Sequence, residues 1–116
     1  MKLTKITCAA LAVLCVTAGA QAAAPVLDEE AYARYEEGLI INAPIAGIEN
    51  RHWFDYRIDI TEAQKELRSD LNRASDLEDM RDAWEEYGDE LRKERIHYIE
   101  EMAERGYRQG TVYLVD

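Results

Sequence analysis

Cysteine is nearly absent from this chain, and its two copies lie close together near the amino terminus. Cys8 and Cys15 both fall within residues 1–22, so residues 23–116 contain none. If residues 1–22 are removed, then disulfides, thiol nucleophiles, cysteine-ligated metals and c-type haem attachment are all excluded. The sequence also lacks a Gly-x-Ser-x-Gly elbow, a phosphate-binding glycine loop and the regular oxygen spacing of an EF-hand. These absences predict a protein that is not an enzyme.

Residues 1–22 have the form of a cleavable export signal. Two lysines give a positively charged start, an apolar run follows, and the final Ala-Gln-Ala has the small-x-small pattern that signal peptidase cuts. The apolar run is too short for a stable membrane anchor, and a bulky Leu14 before Cys15 is a poor lipoprotein cleavage signal. We predict a single mature domain, residues 23–116, that is periplasmic or secreted.

Basic residues are also few, with 14 Lys and Arg against 24 Asp and Glu. The first 22 residues hold two lysines and no acid, so their removal changes the formal charge from −10 to −12. Such an acidic chain lacks the basic patches that nucleic acids and anionic membrane surfaces require. We expect a protein partner instead, either another envelope protein or a second copy of this chain, and no cofactor. An acidic holdase that shields basic or unfolded clients is a further hypothesis.

Apolar residues in the second half of the chain repeat with helical spacing. The first stripe is Trp53, Tyr56, Ile60, Ala63, Leu67, Leu71 and Ala74. The second stripe is Leu77, Met80, Trp84, Tyr87, Leu91, Tyr98 and Met102. Between them, residues 75–78 (SDLE) form a capping box, with Ser75 as the cap, that restarts a helix. We predict two long helices, near residues 46–74 and 76–105, folded back on each other like an antiparallel coiled coil.

A shorter helix precedes this hairpin. Asp28 is a good N-cap for it, and Gly38 is a natural end. Residues 39–42 could form a brief strand within an apolar linker that packs, and the β-prone tail at 111–115 could pair with it. The predicted fold class is therefore mostly α: a short N-terminal helix, a long antiparallel helical hairpin and a small extended C-terminal segment.

Residues 52–60 (HWFDYRIDI) are compatible with two structures. The segment alternates like a strand, and the capping box at residues 61–64 would allow a helix to begin only there. We favour a continuous helix. In that helix Phe54 and Ile58 fall off the main stripe, one turn apart, so they need the first helix or a second subunit to cover them.

The only two histidines carry the sharpest chemical pattern, because each follows a glutamate by three residues. The motif residues are Glu49, His52, Glu94 and His97. On a helix, residues three apart point the same way, and paired Glu-x-x-His helices build the di-metal carboxylate sites of ferritin-like bundles. The hairpin would set the two motifs level, and Glu36 or Glu37 could complete the site. Our first hypothesis is a non-catalytic adaptor that binds another envelope protein, and the alternative is a protein that binds iron, manganese or zinc. The ordinary interpretation of the two histidines is that they lie on exposed helix faces.

One cation lies where an apolar residue is expected. Arg95 falls on the second stripe, between Leu91 and Tyr98. A guanidinium in that position needs a carboxylate or an aromatic face, unless the side chain extends to solvent from the edge of the bundle. A buried charge there would also set the register of an interface.

Overall fold

The computed structural model describes residues 26–110, so the predicted export signal and the tail at 111–115 lie outside the described part. The elements are α1 (Asp28–Gly38), a 3-10 turn (Ile45–Gly47), α2 (Arg51–Arg73) and α3 (Leu77–Glu104). The predicted short helix and long antiparallel hairpin are confirmed. Residues 26–110 contain no strand, so the brief strand considered at residues 39–42 is wrong. None of the helices in this part of the chain is both long enough and apolar enough to cross a bilayer.

The segment that sequence patterns left ambiguous is helical, because α2 runs through it without a break. The Asn50 side chain accepts a hydrogen bond from the Trp53 amide at 3.1 Å, which satisfies one of the free N–H groups of the first turn. The helix therefore begins at Arg51 and not near residue 46. Thr61 is not a cap, since its hydroxyl donates to the Arg57 carbonyl inside the helix at 2.9 Å.

Two predicted caps are displaced by one residue. At the hairpin turn the N-cap is Asp76, whose Oδ1 accepts from the Asp79 amide at 2.8 Å. Ser75 is a donor instead: its amide and its hydroxyl each lie 3.1 Å from Asp79 Oδ2. In α1 the N-cap residue is Leu27 and Asp28 is already helical. The Asp28 carboxylate still lies in the first turn, where the helix dipole favours an anion.

The core forms where the two long helices face each other and α1 packs against α3. Its buried members are Ala33, Ile45, Trp53, Tyr56, Ile60, Ala63, Trp84, Tyr87, Leu91, Tyr98 and Met102. The first two residues of the predicted second stripe are not part of it, because Leu77 is 52% exposed and Met80 39%. Helix α1 reaches α3 between Trp84 and Arg95, so α1 does not cover the hairpin near its turn.

The linker between α1 and α2 packs against the hairpin, as predicted. Ile45 is buried, and its amide donates to the Tyr98 hydroxyl at 3.0 Å. The Ile41 amide donates to the Tyr56 hydroxyl at the same distance. The two tyrosine rings stack with centroids 4.8 Å apart. Both hydroxyls therefore satisfy linker amides, and the linker is held across the end of the hairpin opposite the turn.

Candidate functional site

A band of polar side chains lines the cleft between α2 and α3. The α2 residues are His52, Asp55 and Asp59, and the α3 residues are Glu94, His97 and Glu101. In both helices the three residues follow the spacing i, i+3, i+7, which places them on one face. Because the helices are antiparallel, the two triplets oppose each other in reverse order. These six residues, which we call the polar seam, line a cavity of about 260 Å³ together with Tyr56, Tyr98 and Ile58.

Three of the four residues predicted as metal ligands belong to the polar seam: His52, Glu94 and His97. Glu49 does not line it. It is exposed and lies before the N-cap Asn50, so the first Glu-x-x-His motif is not contained in a helix and its two side chains do not share a helical face. Sequence reasoning missed the other three members of the seam. The matching i, i+3, i+7 spacing in the two long helices was the signal that could have found them.

The two glutamates of α1 that were considered as additional ligands are occupied elsewhere. Arg95 Nη1 donates to Glu36 Oε2 at 2.5 Å, in an ion pair whose carboxylate is buried. Glu37 accepts from the Tyr87 hydroxyl at 2.8 Å and from Arg34 Nη1 at 2.9 Å. The cation on the second stripe therefore has a carboxylate partner. Since this pair joins α1 to α3, it sets the position of α1 along the hairpin.

The two outer pairs of the polar seam differ in their electrostatics. At one end, His52 Nδ1 lies 3.7 Å from Glu101 Oε2, which is too long for a strong hydrogen bond. At the other end, Glu94 shares a hydrogen bond with Asp59. Burial, followed by this hydrogen bond and the nearby Asp59 charge, raises the pKa of the Glu94 carboxyl to about 7. Glu90 acts in the same direction. Two carboxyls in contact retain a shared proton because their charges repel.

Three cations at the rim pair with carboxylates of the seam. The distances are 3.8 Å for Lys93–Glu94, 3.1 Å for Arg105–Glu101 and 3.9 Å for Arg51–Asp55. All three cations are exposed, so each pair contributes little stability.

A second group of acids lies nearer the hairpin turn. Glu66, Asp70 and Glu86 are the only three ligand-type side chains within residues 26–110 whose donor atoms all lie within 4.8 Å of one another. Arg73 Nη2 already lies 2.6 Å from Asp70 Oδ1, so the group has its own cation. Nothing in its surroundings points to a further ligand. No three donor atoms of the polar seam lie within 4.8 Å of one another, so its side chains would have to rotate to bind one ion.

A second candidate surface lies on α2, where apolar side chains face solvent. Phe54 is 47% exposed and Ile58 is 55% exposed. With Arg57, Thr61, Glu62 and Lys65 they line an open groove of about 370 Å³, which we call the apolar groove. Helix α1 does not cover it, because α1 packs on α3. Of the two covers that the sequence suggested for Phe54 and Ile58, the first helix is therefore excluded.

Comparison of the chain with models of protein families, with curated proteins and with solved structures finds no match to any of them. The interpretation of both surfaces therefore depends on their own geometry and chemistry.

Proposed function

We propose that this protein is an exported, non-catalytic binding protein that engages another envelope protein through the apolar groove. The observation that supports this proposal is the joint exposure of Phe54 and Ile58 on one face of α2. A single exposed apolar side chain is ordinary. Two of them one turn apart, bordering a groove, are typical of a surface that a partner covers.

Charge defines the chemistry of the partner. Without residues 1–22 the chain has a formal charge of −12, which attracts basic proteins over a distance and repels acidic ones. The partner we propose inserts an apolar side chain between Phe54 and Ile58. The groove itself carries two cations, Arg57 and Lys65, and one acid, Glu62. The partner's basic residues therefore lie outside the groove, against the acidic surface of the hairpin, where they raise the association rate.

The compartment follows from the amino terminus. The positively charged start, the short apolar run and the Ala-Gln-Ala sequence of residues 1–22 support export. A cysteine-free mature chain would keep its fold in an oxidising compartment without forming wrong disulfides. The proposal therefore concerns a partner in the periplasm, in the envelope or outside the cell.

Site-specific photocrosslinking in the exporting cell tests the proposal. A photoreactive residue replaces Ile58 in one variant and Leu77 in the control, since Leu77 is an equally exposed apolar residue at 52% that lies outside the groove. We expect a discrete adduct with one basic protein from position 58 only, and we expect the additional change Phe54→Ser to abolish it.

Two results would contradict the proposal. Equal adducts from positions 58 and 77 would show that exposed apolar side chains are captured without regard to the groove. An adduct with twice the mass of the chain would show that the groove joins two copies of this protein, in place of the partner we propose. Sedimentation of the purified protein would verify the second result independently.

A further inference from the structure

We propose that the polar seam binds one transition-metal dication of the zinc class. The juxtaposition that carries this inference is that both imidazoles of the described chain line one cavity with carboxylates of α2 and α3, and that one of them, His52, faces Glu101 across the cleft. The proposed ligands are His52 and Asp55 from α2 with His97 and Glu101 from α3. The cavity of the seam shares Ile58 with the apolar groove, but none of the four proposed ligands lines the groove, so the metal test does not depend on the proposed partner.

The chemistry of the donors selects the class of metal. Two imidazole nitrogens and two carboxylate oxygens form a set that suits zinc and neighbouring transition metals. Calcium and magnesium prefer sites built entirely from oxygen. An acidic surface alone would attract any dication, so the two histidines, His52 and His97, are what distinguish the polar seam from the acids near the hairpin turn.

The spacing of one pair already fits such an ion. His52 Nδ1 and Glu101 Oε2 face each other at 3.7 Å across the cleft. Two donors bound to the same tetrahedral zinc at ordinary bond lengths lie about 3.3 Å apart. The distance between these two atoms is thus too long for a strong hydrogen bond and close to the distance that a shared ion would impose. The His52 side chain is mostly buried, which holds this donor in place.

The other two ligands are free to complete the site. Asp55 and His97 are exposed and line the same cavity, so a change of rotamer at either residue would not disturb the core. Binding must displace Arg51 from Asp55 and Arg105 from Glu101. Both cations are exposed, and such pairs are weak. Asp59 and Glu94 line the far end of the same cavity and are not among the proposed ligands.

Calorimetric titration of the purified, chelator-treated protein with zinc chloride at pH 7.5 tests the proposal. We expect one zinc per chain and a melting temperature that rises with zinc but not with calcium, because the ion binds only the folded state. His97→Gln should weaken zinc binding at least tenfold, and its exposed position should leave the fold intact. The matched control is Glu66→Gln with Glu86→Gln, which removes two charges from the other acidic group and should leave zinc binding unchanged.

Nuclear magnetic resonance of the imidazole nitrogens gives an independent measurement. Both histidines should shift on addition of one equivalent of zinc, and neither should shift with calcium. Stabilisation by calcium equal to that by zinc would overturn the proposal. Unchanged zinc affinity in His97→Gln would also overturn it, as would loss of binding in the Glu66→Gln, Glu86→Gln control.

Discussion

The close contact between α1 and α3 at Gly88 gives a prediction that tests the tertiary arrangement directly. Gly88 is buried in the middle of α3, a position where helix propensity alone favours alanine. A Cβ atom at this position would lie 2.6 Å from Tyr32 Cε1 and 3.2 Å from Ala33 Cα. The substitution Gly88→Ala should therefore stabilise α3 through helix propensity and destabilise its packing against α1.

The sizes of these two effects decide whether the free energy of unfolding rises or falls. Replacing glycine with alanine inside a helix stabilises by about 1 kcal/mol. Added volume in a packed interface costs about 1–3 kcal/mol. The Tyr32 ring could swing away and give up its 3.0 Å hydrogen bond to Asp89. The Ala33 contact involves backbone, so α1 itself must move. We expect the steric cost to exceed the gain in helix propensity, so that the free energy of unfolding falls by about 1–2 kcal/mol.

Thermal unfolding followed by circular dichroism measures this loss. For a domain of this size it corresponds to a fall in melting temperature on the order of 5–10 °C. Gly38→Ala is the matched control, because a Cβ atom there meets nothing within 4 Å and the residue is the last of α1. We expect the control to be neutral or to raise the melting temperature slightly. If Gly88→Ala raised it as well, α1 would not pack against α3 as described.

Two further predictions concern buried charge. Because the pKa of Glu94 is raised to about 7, the folded protein retains a proton that the unfolded chain releases above about pH 4.5. The free energy of unfolding should therefore fall by about 1–2 kcal/mol as pH rises from 4.5 to beyond 7, after allowance for solvent access. Urea unfolding of Glu94→Gln at pH 5 and 8 should show a smaller fall, and an unchanged fall would assign the proton to another group. Arg95→Met should cost about 3–5 kcal/mol, since it leaves the buried Glu36 carboxylate without a partner. Most of that loss should return in the double variant with Glu36→Leu, and equal losses in the single and double variants would refute this explanation.

The elements of the fold were predictable because their signals are local. Apolar residues at intervals of three and four specify an amphipathic helix wherever it packs, and α2 and α3 begin and end within five residues of the predicted limits. The caps were less certain, since neighbouring Ser75 and Asp76 both suit the turn. Only the competition between their hydrogen bonds selects Asp76.

The candidate sites were predictable only in part. His52, Glu94 and His97 were identified because histidines are rare and the hairpin sets the two motifs level. Glu49 was included because a helix was expected to begin before it, whereas the Asn50 cap starts α2 later. Asp55 and Glu101 went unnoticed, since single acids on exposed helix faces carry no pattern until the register of the opposite helix is known.

The sequence by itself determined that this protein is an acidic, mostly helical chain with a long hairpin, because hydrophobic periodicity and turn signals act over a few residues. Only the tertiary structure decided where the short α1 lies. That choice depends on contacts between residues more than fifty positions apart, such as Glu36 with Arg95 and Tyr32 with Gly88. By placing α1 on α3, these contacts leave the apolar groove of α2 open.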